Sequence, residues 1–61
     1  MKTVNHGYYE TVVLAKRGNT TLEKNTETGD VYTFFKGYYI LPAPKGHSDK
    51  ELIRMFNACE F

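Results

Sequence analysis

Aromatic side chains gathered in one stretch of the chain are the groups best suited to build a binding surface. Five of the nine aromatic residues lie between Val31 and Leu41. Their rings stack on other rings, on cations and on apolar surfaces, and each offers roughly 150–250 Å² of contact area. A chain of 61 residues cannot easily bury all of them, so we expect some of these rings to face a partner.

Groups that could serve catalysis or metal binding are sparse. Cys59 and His47 have the types of a nucleophile and its base. However, Cys59 falls on the apolar stripe of the predicted C-terminal helix, where a small hydrophobic residue is expected, and His47 lies in a loop. His6, His47 and Asp49 could be metal ligands, but the two histidines are far apart in sequence. We therefore predict that the protein is not an enzyme and that it has no cofactor and no metal site.

A short motif of basic and aromatic residues indicates a second possible class of function, the binding of nucleic acid. Lys36-Gly37-Tyr38 resembles the start of the RNP1 motif of RNA-recognition domains, but the resemblance ends at Tyr39, where that motif has a small residue. Exposed tyrosines beside Lys16, Arg17 and Lys36 could stack on unpaired bases. The net charge is only +1, and the basic residues are scattered, unlike those of a typical nucleic-acid surface. Single-stranded nucleic-acid binding is therefore the alternative to protein binding.

The length and composition limit what the chain can be. Sixty-one residues suffice for one domain, residues 1–61, with a small core and marginal stability. A single cysteine excludes an internal disulfide, so a homodimer that shares apolar surface is an open option. The first residues lack the apolar run of a secretion signal, and no stretch is long enough to span a membrane. We expect a cytoplasmic protein.

Alternating β-branched and aromatic residues predict a small antiparallel sheet. Turn signals occur at Gly18-Asn19, between Asn25 and Asp30, and at Lys36-Gly37. They separate four predicted strands, over residues 8–16, 20–24, 31–35 and 38–41. Two prolines after the last strand end the sheet, because proline cannot donate a ladder hydrogen bond.

A capping box marks the start of a C-terminal helix. Ser48 can accept a hydrogen bond from the amide of Glu51, and the Glu51 carboxylate can reach back to the amide of Ser48. The pattern predicts a helix over about residues 49–59. At roughly 100° per residue, one stripe of this helix is apolar. Its members are Leu52, Ile53, Phe56 and Cys59.

These elements predict an α+β fold, a small antiparallel β-meander of three to four strands with one C-terminal helix packed on one face. The predicted core consists of Val12, Leu14, Leu22, Tyr32, Phe34, Ile40, Leu52, Ile53 and Phe56. Both sides of the strands carry aromatic residues, whereas one amphipathic helix covers only one face. We expect the other face to present aromatic side chains.

The function that fits this surplus of aromatic residues is non-enzymatic protein binding. We expect a small inhibitor or adaptor, of the phage or mobile-element type, that docks on a host protein through an aromatic sheet face or edge strand. The predicted partner-binding residues are Tyr9, Val13, Phe35, Tyr38 and Tyr39 as anchors, with Arg17 and Lys36 at the rim.

Overall fold

The computed structural model describes residues 2–61 as an α+β fold with a five-stranded antiparallel meander. The strands are β1 (Thr3–Asn5), β2 (Glu10–Arg17), β3 (Thr20–Asn25), β4 (Val31–Phe35) and β5 (Tyr38–Pro42), and the helix is α1 (Asp49–Asn57). Each strand pairs with its neighbours in sequence, so β1 and β5 are the two edges. The α+β meander is confirmed, but the predicted three to four strands undercount the sheet by β1. That strand has only three residues, too few to give a periodic signal.

The β4–β5 hairpin separates the two halves of the aromatic stretch. Lys36 and Gly37 both have positive φ, 52° and 84°, as a type I′ turn requires. The ladder then shifts register, because Phe34 lies opposite Tyr39 while Thr33 lies opposite Leu41. One residue of β5, Ile40, is therefore extra to the pairing and forms a bulge.

The helix begins at the predicted capping box. Ser48 Oγ accepts from the amide of Glu51, and the Ser48 amide donates to the Glu51 carboxylate, each at 3.2 Å. The hydrogen bond from the Ser48 backbone lowers the pKa of Glu51 below its ordinary value. A carboxylate held at a helix N-terminus also interacts favourably with the helix dipole.

The helix ends two residues before the predicted boundary. Ala58 is its C-cap, and Cys59 adopts the left-handed conformation, with φ at 58°. The amides of Cys59 and Glu60 donate to the carbonyls of Phe56 and Met55, which is the Schellman arrangement. Cys59 is exposed and does not extend the apolar stripe, contrary to the prediction. α1 is too short and too polar to cross a membrane, and residues 2–61 contain no other helix.

The helix covers one face of the sheet with a compact apolar cluster. Leu22 from β3, Ala43 after β5, and Leu52 and Phe56 from α1 are all buried in it. Partly buried side chains surround the cluster, namely Leu14, Ala15, Val31, Ile53, Met55 and Phe61.

The predicted core merged two faces of the sheet. Phe34 is only 1% exposed. It lies opposite Thr21, whereas its neighbour Thr33 lies opposite Leu22, and adjacent residues of a strand point to opposite faces. Phe34 is therefore buried on the face away from α1, and the prediction of one common core was wrong. Ile40 was also placed in the core, yet it is 46% exposed on the edge strand, since the bulge removes it from the ladder register.

Candidate functional site: the tyrosine cleft and the β5 edge

The segment before β2 folds over the sheet face that α1 leaves uncovered. The imidazole of His6 stacks between two rings, with its centroid 4.8 Å from Tyr9 and 4.8 Å from Phe34. The planes are within 23° and 16° of parallel. This stack explains why Phe34 is buried without any contribution from the helix cluster. The second face of the sheet is thus partly covered by the chain's own N-terminal segment.

A buried carboxylate on the sheet, that of Glu23, holds His6 of this N-terminal segment in place. Glu23 on β3 is 3% exposed, and its Oε1 accepts from the hydroxyl of Thr11 at 2.6 Å. His6 Nε2 lies 2.9 Å from the same oxygen, and the Thr21 hydroxyl donates to Oε2 at 2.5 Å. No buried side-chain nitrogen or oxygen in residues 2–61 lacks a hydrogen-bond partner.

Hydrogen bonding decides the protonation state of this carboxylate. Burial acts to raise the pKa of Glu23, but hydrogen bonds from Thr11, Thr21 and His6 outweigh it and hold the pKa below its ordinary value. Glu23 is therefore ionised at neutral pH.

A histidine beside a carboxylate also occurs in catalytic triads, where it activates a hydroxyl. Here the adjacent hydroxyl, that of Thr11, is fully buried and donates to the carboxylate itself. The arrangement therefore holds His6 in place, and the Thr11 hydroxyl is not exposed to a substrate. Among the described residues, no group of three or more His, Cys, Asp or Glu side chains is placed to hold a metal ion.

Beside the imidazole stack, three tyrosines enclose a cleft on the same face. Tyr9, Tyr32 and Tyr39 line it together with Asn25, and its volume is about 260 Å³. Tyr32 and Tyr39 meet edge to face, with ring centroids 5.6 Å apart. Tyr39 also contacts the buried Phe34 edge to face, at 6.2 Å. We call this site the tyrosine cleft.

The polar end of the tyrosine cleft is acidic. The Tyr32 hydroxyl donates to Asp30 Oδ2 at 3.3 Å. Burial raises the pKa of Tyr32, and the Asp30 carboxylate and the nearby phenols of Tyr39 and Tyr9 raise it further. Tyr32 is therefore neutral at physiological pH, and its hydroxyl donates a hydrogen bond to the Asp30 carboxylate. The cleft offers the rings of its tyrosines and the side chain of Asn25 to a ligand, and the Asp30 carboxylate lies next to the Tyr32 hydroxyl.

The β5 edge is the second unusual surface. All five residues of β5 are exposed, and Tyr38 is the most exposed of them at 78%. Phe35, opposite Tyr38 in the ladder, is exposed as well. Tyr39 belongs both to this edge and to the tyrosine cleft, so the two surfaces are continuous.

The predicted partner-binding residues do not form one surface in the structure. Tyr9, Val13 and Tyr39 share the face away from α1, since Val13 lies opposite Glu23 and Tyr39 opposite Phe34. The remaining four are elsewhere: Phe35 and Tyr38 occupy the opposite side of the β4–β5 hairpin, Lys36 lies in its turn, and Arg17 lies at the end of β2.

Arg17 is used within the fold. Its guanidinium carbon lies 4.9 Å from the centroid of the Phe56 ring, and its Nη1 donates to the Phe56 carbonyl. It also contacts Cys59 Sγ. A cation at a helix C-terminus satisfies terminal carbonyls and complements the helix dipole.

Replacing Arg17 by methionine is therefore expected to destabilise the protein. Arg17→Met keeps most of the side chain's length but removes the charge and the donors, and should lower the free energy of unfolding by about 1 kcal/mol. Thermal denaturation followed by circular dichroism should show a melting temperature roughly 4–8 °C lower. Lys16→Met, at the exposed neighbouring position, is the control. Equal losses in the two variants would contradict the capping role.

Only part of the tyrosine cleft could be predicted from the sequence. The sequence pattern places Tyr32 in the core, indicates His6 only as a candidate metal ligand, and does not single out Asn25. The turn after Asn25 brings Lys24 opposite Val31 and therefore Glu23 opposite Tyr32, which a hairpin register drawn from the turn would have shown. Tyr8, the most exposed aromatic residue, was also missed. It precedes β2, where no strand periodicity predicts its orientation.

A larger depression, of about 510 Å³, lies between the end of the sheet and the start of α1. Its lining includes Lys24, Lys45, His47 and Asp49. Lys24 Nζ is paired with Asp49 Oδ2 at 3.0 Å, so two of its charged groups neutralise each other. The depression therefore presents a less distinctive chemistry than the tyrosine cleft.

Comparison of the chain with protein-family models, curated proteins and solved structures gave no match.

Proposed function

We propose that the protein is a non-enzymatic binding module that docks on a protein partner through its exposed aromatic edge strand, β5. In this mode an extended segment of the partner pairs with the free backbone groups of the edge strand and extends the sheet. The observation that carries the proposal is the difference between the two edges of the sheet.

Natural sheets protect their edges by short strands, charged side chains, prolines or bulges. β1 follows this rule, because it has only three residues and Lys2 precedes it. β5 has five residues without any charge, and its proline stands at the very end. The bulge at Ile40 also interrupts the regular pairing of β5 with β4. In a protein of this size, an exposed and uncharged edge with aromatic side chains supports the proposal that a partner covers it.

The side chains of the edge also favour a protein ligand. Side chains of an edge strand alternate between the two faces, so a segment added beside β5 meets Tyr38 on one side and Tyr39 on the other. Tyrosine is enriched in protein interfaces and at their energetic centres. Phe35 extends the contact on the Tyr38 side, and Lys36 provides a charge at its rim.

We extend the proposal to the role of an inhibitor or adaptor on a host protein, as in small accessory proteins of phages and mobile elements. A module of 61 residues can act by occupying a surface of a larger protein. Single-stranded nucleic acid is a weaker candidate. The guanidinium of Arg17 is engaged at the end of α1, and within residues 2–61 no lysine or arginine lines the tyrosine cleft.

Charge placed on each edge in turn tests this function. Ile40→Lys introduces a cation at the exposed bulge of β5, and Thr3→Lys introduces the same charge on the opposite edge. Each variant and the wild type are immobilised, and proteins captured from a host lysate are identified by mass spectrometry. We expect a partner that binds the wild type and Thr3→Lys and is reduced at least ten-fold on Ile40→Lys. Hydrogen exchange of the reconstituted complex should then show protection of β5 amides.

Two outcomes would contradict the proposal. The first is capture that is equal on all three proteins, which would place the binding surface elsewhere. The second is a mass that doubles with concentration for the wild type but not for Ile40→Lys, which would show that a second copy of the chain covers β5. Oligonucleotide binding that weakens steeply with salt would favour the nucleic-acid alternative.

A further inference from the structure

We propose that the tyrosine cleft binds the guanidinium group of an arginine carried by the protein partner. The inference rests on the proposed function, because it names the side chain that a partner docked along β5 inserts into the neighbouring cleft. It assigns a chemical class of ligand to Tyr9, Tyr32 and Tyr39.

The shape and composition of the cleft suit a flat cation. Three phenol rings and the side chain of Asn25 line a space of about 260 Å³. The face of an aromatic ring carries negative potential and attracts a cation within about 6 Å of its centroid. A site with several such rings attracts cations more strongly than a single exposed ring does.

The charges around the cleft favour a cation over an anion. Neither a lysine nor an arginine lines the cleft among the described residues. A second hollow, of about 210 Å³, shares Tyr9 with the cleft, and the acidic residues Glu10 and Glu27 are among those that line it. Asp30 adds a third carboxylate through its contact with the Tyr32 hydroxyl. The larger depression, which shares Tyr32 and Tyr39 with the cleft, also holds Lys45 and the Lys24–Asp49 ion pair, so the acidic side of the cleft is the one toward Tyr9.

Arginine fits this arrangement better than lysine. A guanidinium is planar, stacks on aromatic faces and presents parallel donors that match a carboxylate. Asp30 is exposed, and its carboxylate makes one long side-chain hydrogen bond, from Tyr32 at 3.3 Å. A guanidinium stacked against a tyrosine of the cleft could therefore also donate to Asp30. Lysine offers only a compact point charge.

The cleft is continuous with the docking edge. Tyr39 is a residue of β5, it lines the cleft, and its ring contacts the ring of Tyr32. A partner segment paired along β5 consequently passes beside the cleft, and a side chain on the Tyr39 side can reach it.

Nuclear magnetic resonance tests the cleft without the partner. The ¹⁵N-labelled protein is titrated with N-acetyl-arginine amide and, separately, with N-acetyl-citrulline amide, a neutral compound of nearly the same shape. We expect saturable shifts of the amides of Tyr9, Asn25, Tyr32 and Tyr39 with the arginine compound, and no saturable shift with citrulline. N-acetyl-lysine amide should bind more weakly than the arginine compound.

Matched variants locate the binding. Tyr32→Leu should weaken binding by about two-fold to five-fold, the effect of one cation–π contact at an exposed site. Asp30→Asn, in the exposed turn, should also weaken it, while Tyr8→Leu, outside the cleft, should not. Amide spectra show whether each variant is folded.

Equal shifts with arginine and citrulline, or shifts centred outside the cleft, would overturn the inference. Such a result leaves the β5 docking test unaffected, because that test depends on Ile40→Lys. Conversely, arginine binding in the cleft with no effect of Ile40→Lys on partner capture would contradict only the docking edge.

Discussion

Phe34→Ala is expected to remove most of the stability of this protein, although Phe34 lies on the sheet face opposite the helix. Truncation of a buried phenylalanine costs about 3–5 kcal/mol. A chain of 61 residues has a total stability of roughly 3–9 kcal/mol at typical values per residue. The substitution deletes the ring on which His6 stacks and which Tyr39 contacts. It should therefore also release the N-terminal segment and open the tyrosine cleft.

Urea denaturation followed by circular dichroism measures this effect. Phe34→Leu keeps part of the apolar volume and should remain folded with a smaller loss, so that a free energy can be obtained even if Phe34→Ala does not fold. Phe35→Ala is the matched control, because the neighbouring ring is 46% exposed. We expect it to cost less than about 1 kcal/mol. Comparable losses for Phe34→Ala and Phe35→Ala would show that the second face is not a true core.

Glu23→Gln is expected to destabilise the protein by about 2 kcal/mol at neutral pH, since hydrogen bonds to a charged group are worth more than neutral ones. Glutamine preserves the shape of the side chain but offers one acceptor oxygen in place of two. The three donors around Glu23, namely Thr11, Thr21 and His6, then compete for it.

The same substitution should change the response to acid. The pKa of Glu23 is lower in the folded state than its ordinary value of 4.5. Its ionisation therefore adds stability that is fully present above pH 4.5, and this stability is lost as the pH falls below 4.5 through the folded-state pKa.

Unfolding free energies between pH 7 and pH 3 should fall more steeply for the wild type than for Glu23→Gln. The control is Glu27→Gln, which changes an exposed carboxylate in the turn after β3. An identical acid response of wild type and Glu23→Gln would contradict the role of the buried carboxylate.

Local signals explain which parts of the fold could be predicted from the sequence. The capping box at Ser48 depends on residues three apart, and the hairpin turn at Lys36-Gly37 depends on two adjacent residues. Because these contacts are local, the sequence contains the whole pattern. The start of α1 and the boundaries of β4 agree with the predictions. The predicted helix end is two residues too late and the side chain of Cys59 is placed wrongly, since a left-handed C-terminal residue leaves no periodic signal.

The assignment of sheet faces could not be predicted in this way. A shift of one residue in strand pairing moves every side chain to the other face. The register changes between Val13 and Ala15, and again between Thr33 and Phe34. Neither bulge is marked by a glycine or proline in the sequence. Leu22 and Phe34 lie on β3 and β4, whose pairing is regular, and the predicted core placed them together because it did not use the register that the turn between them sets.

The position of His6 could not be predicted from the sequence either, and the tyrosine cleft depends on it. Its ring is held by Glu23, 17 residues away, and by Phe34 on another strand. No pattern within the N-terminal segment predicts contacts of this range. The anchors Tyr9 and Tyr39 could be named from residue type, whereas their convergence with Tyr32 required the observed registers.

The order of the strands has a kinetic consequence. Because β1 to β5 are arranged in space as they are in the chain, each pairing closes only a short loop, and the sheet can grow one hairpin at a time. The return of α1 to β2 is the distant step, since Arg17 and Phe56 are separated by 39 residues. Topologies dominated by local contacts fold rapidly. We therefore expect the contact between Arg17 and Phe56 to form after the strands have paired, so that the aromatic edge of β5 is already in place when α1 docks.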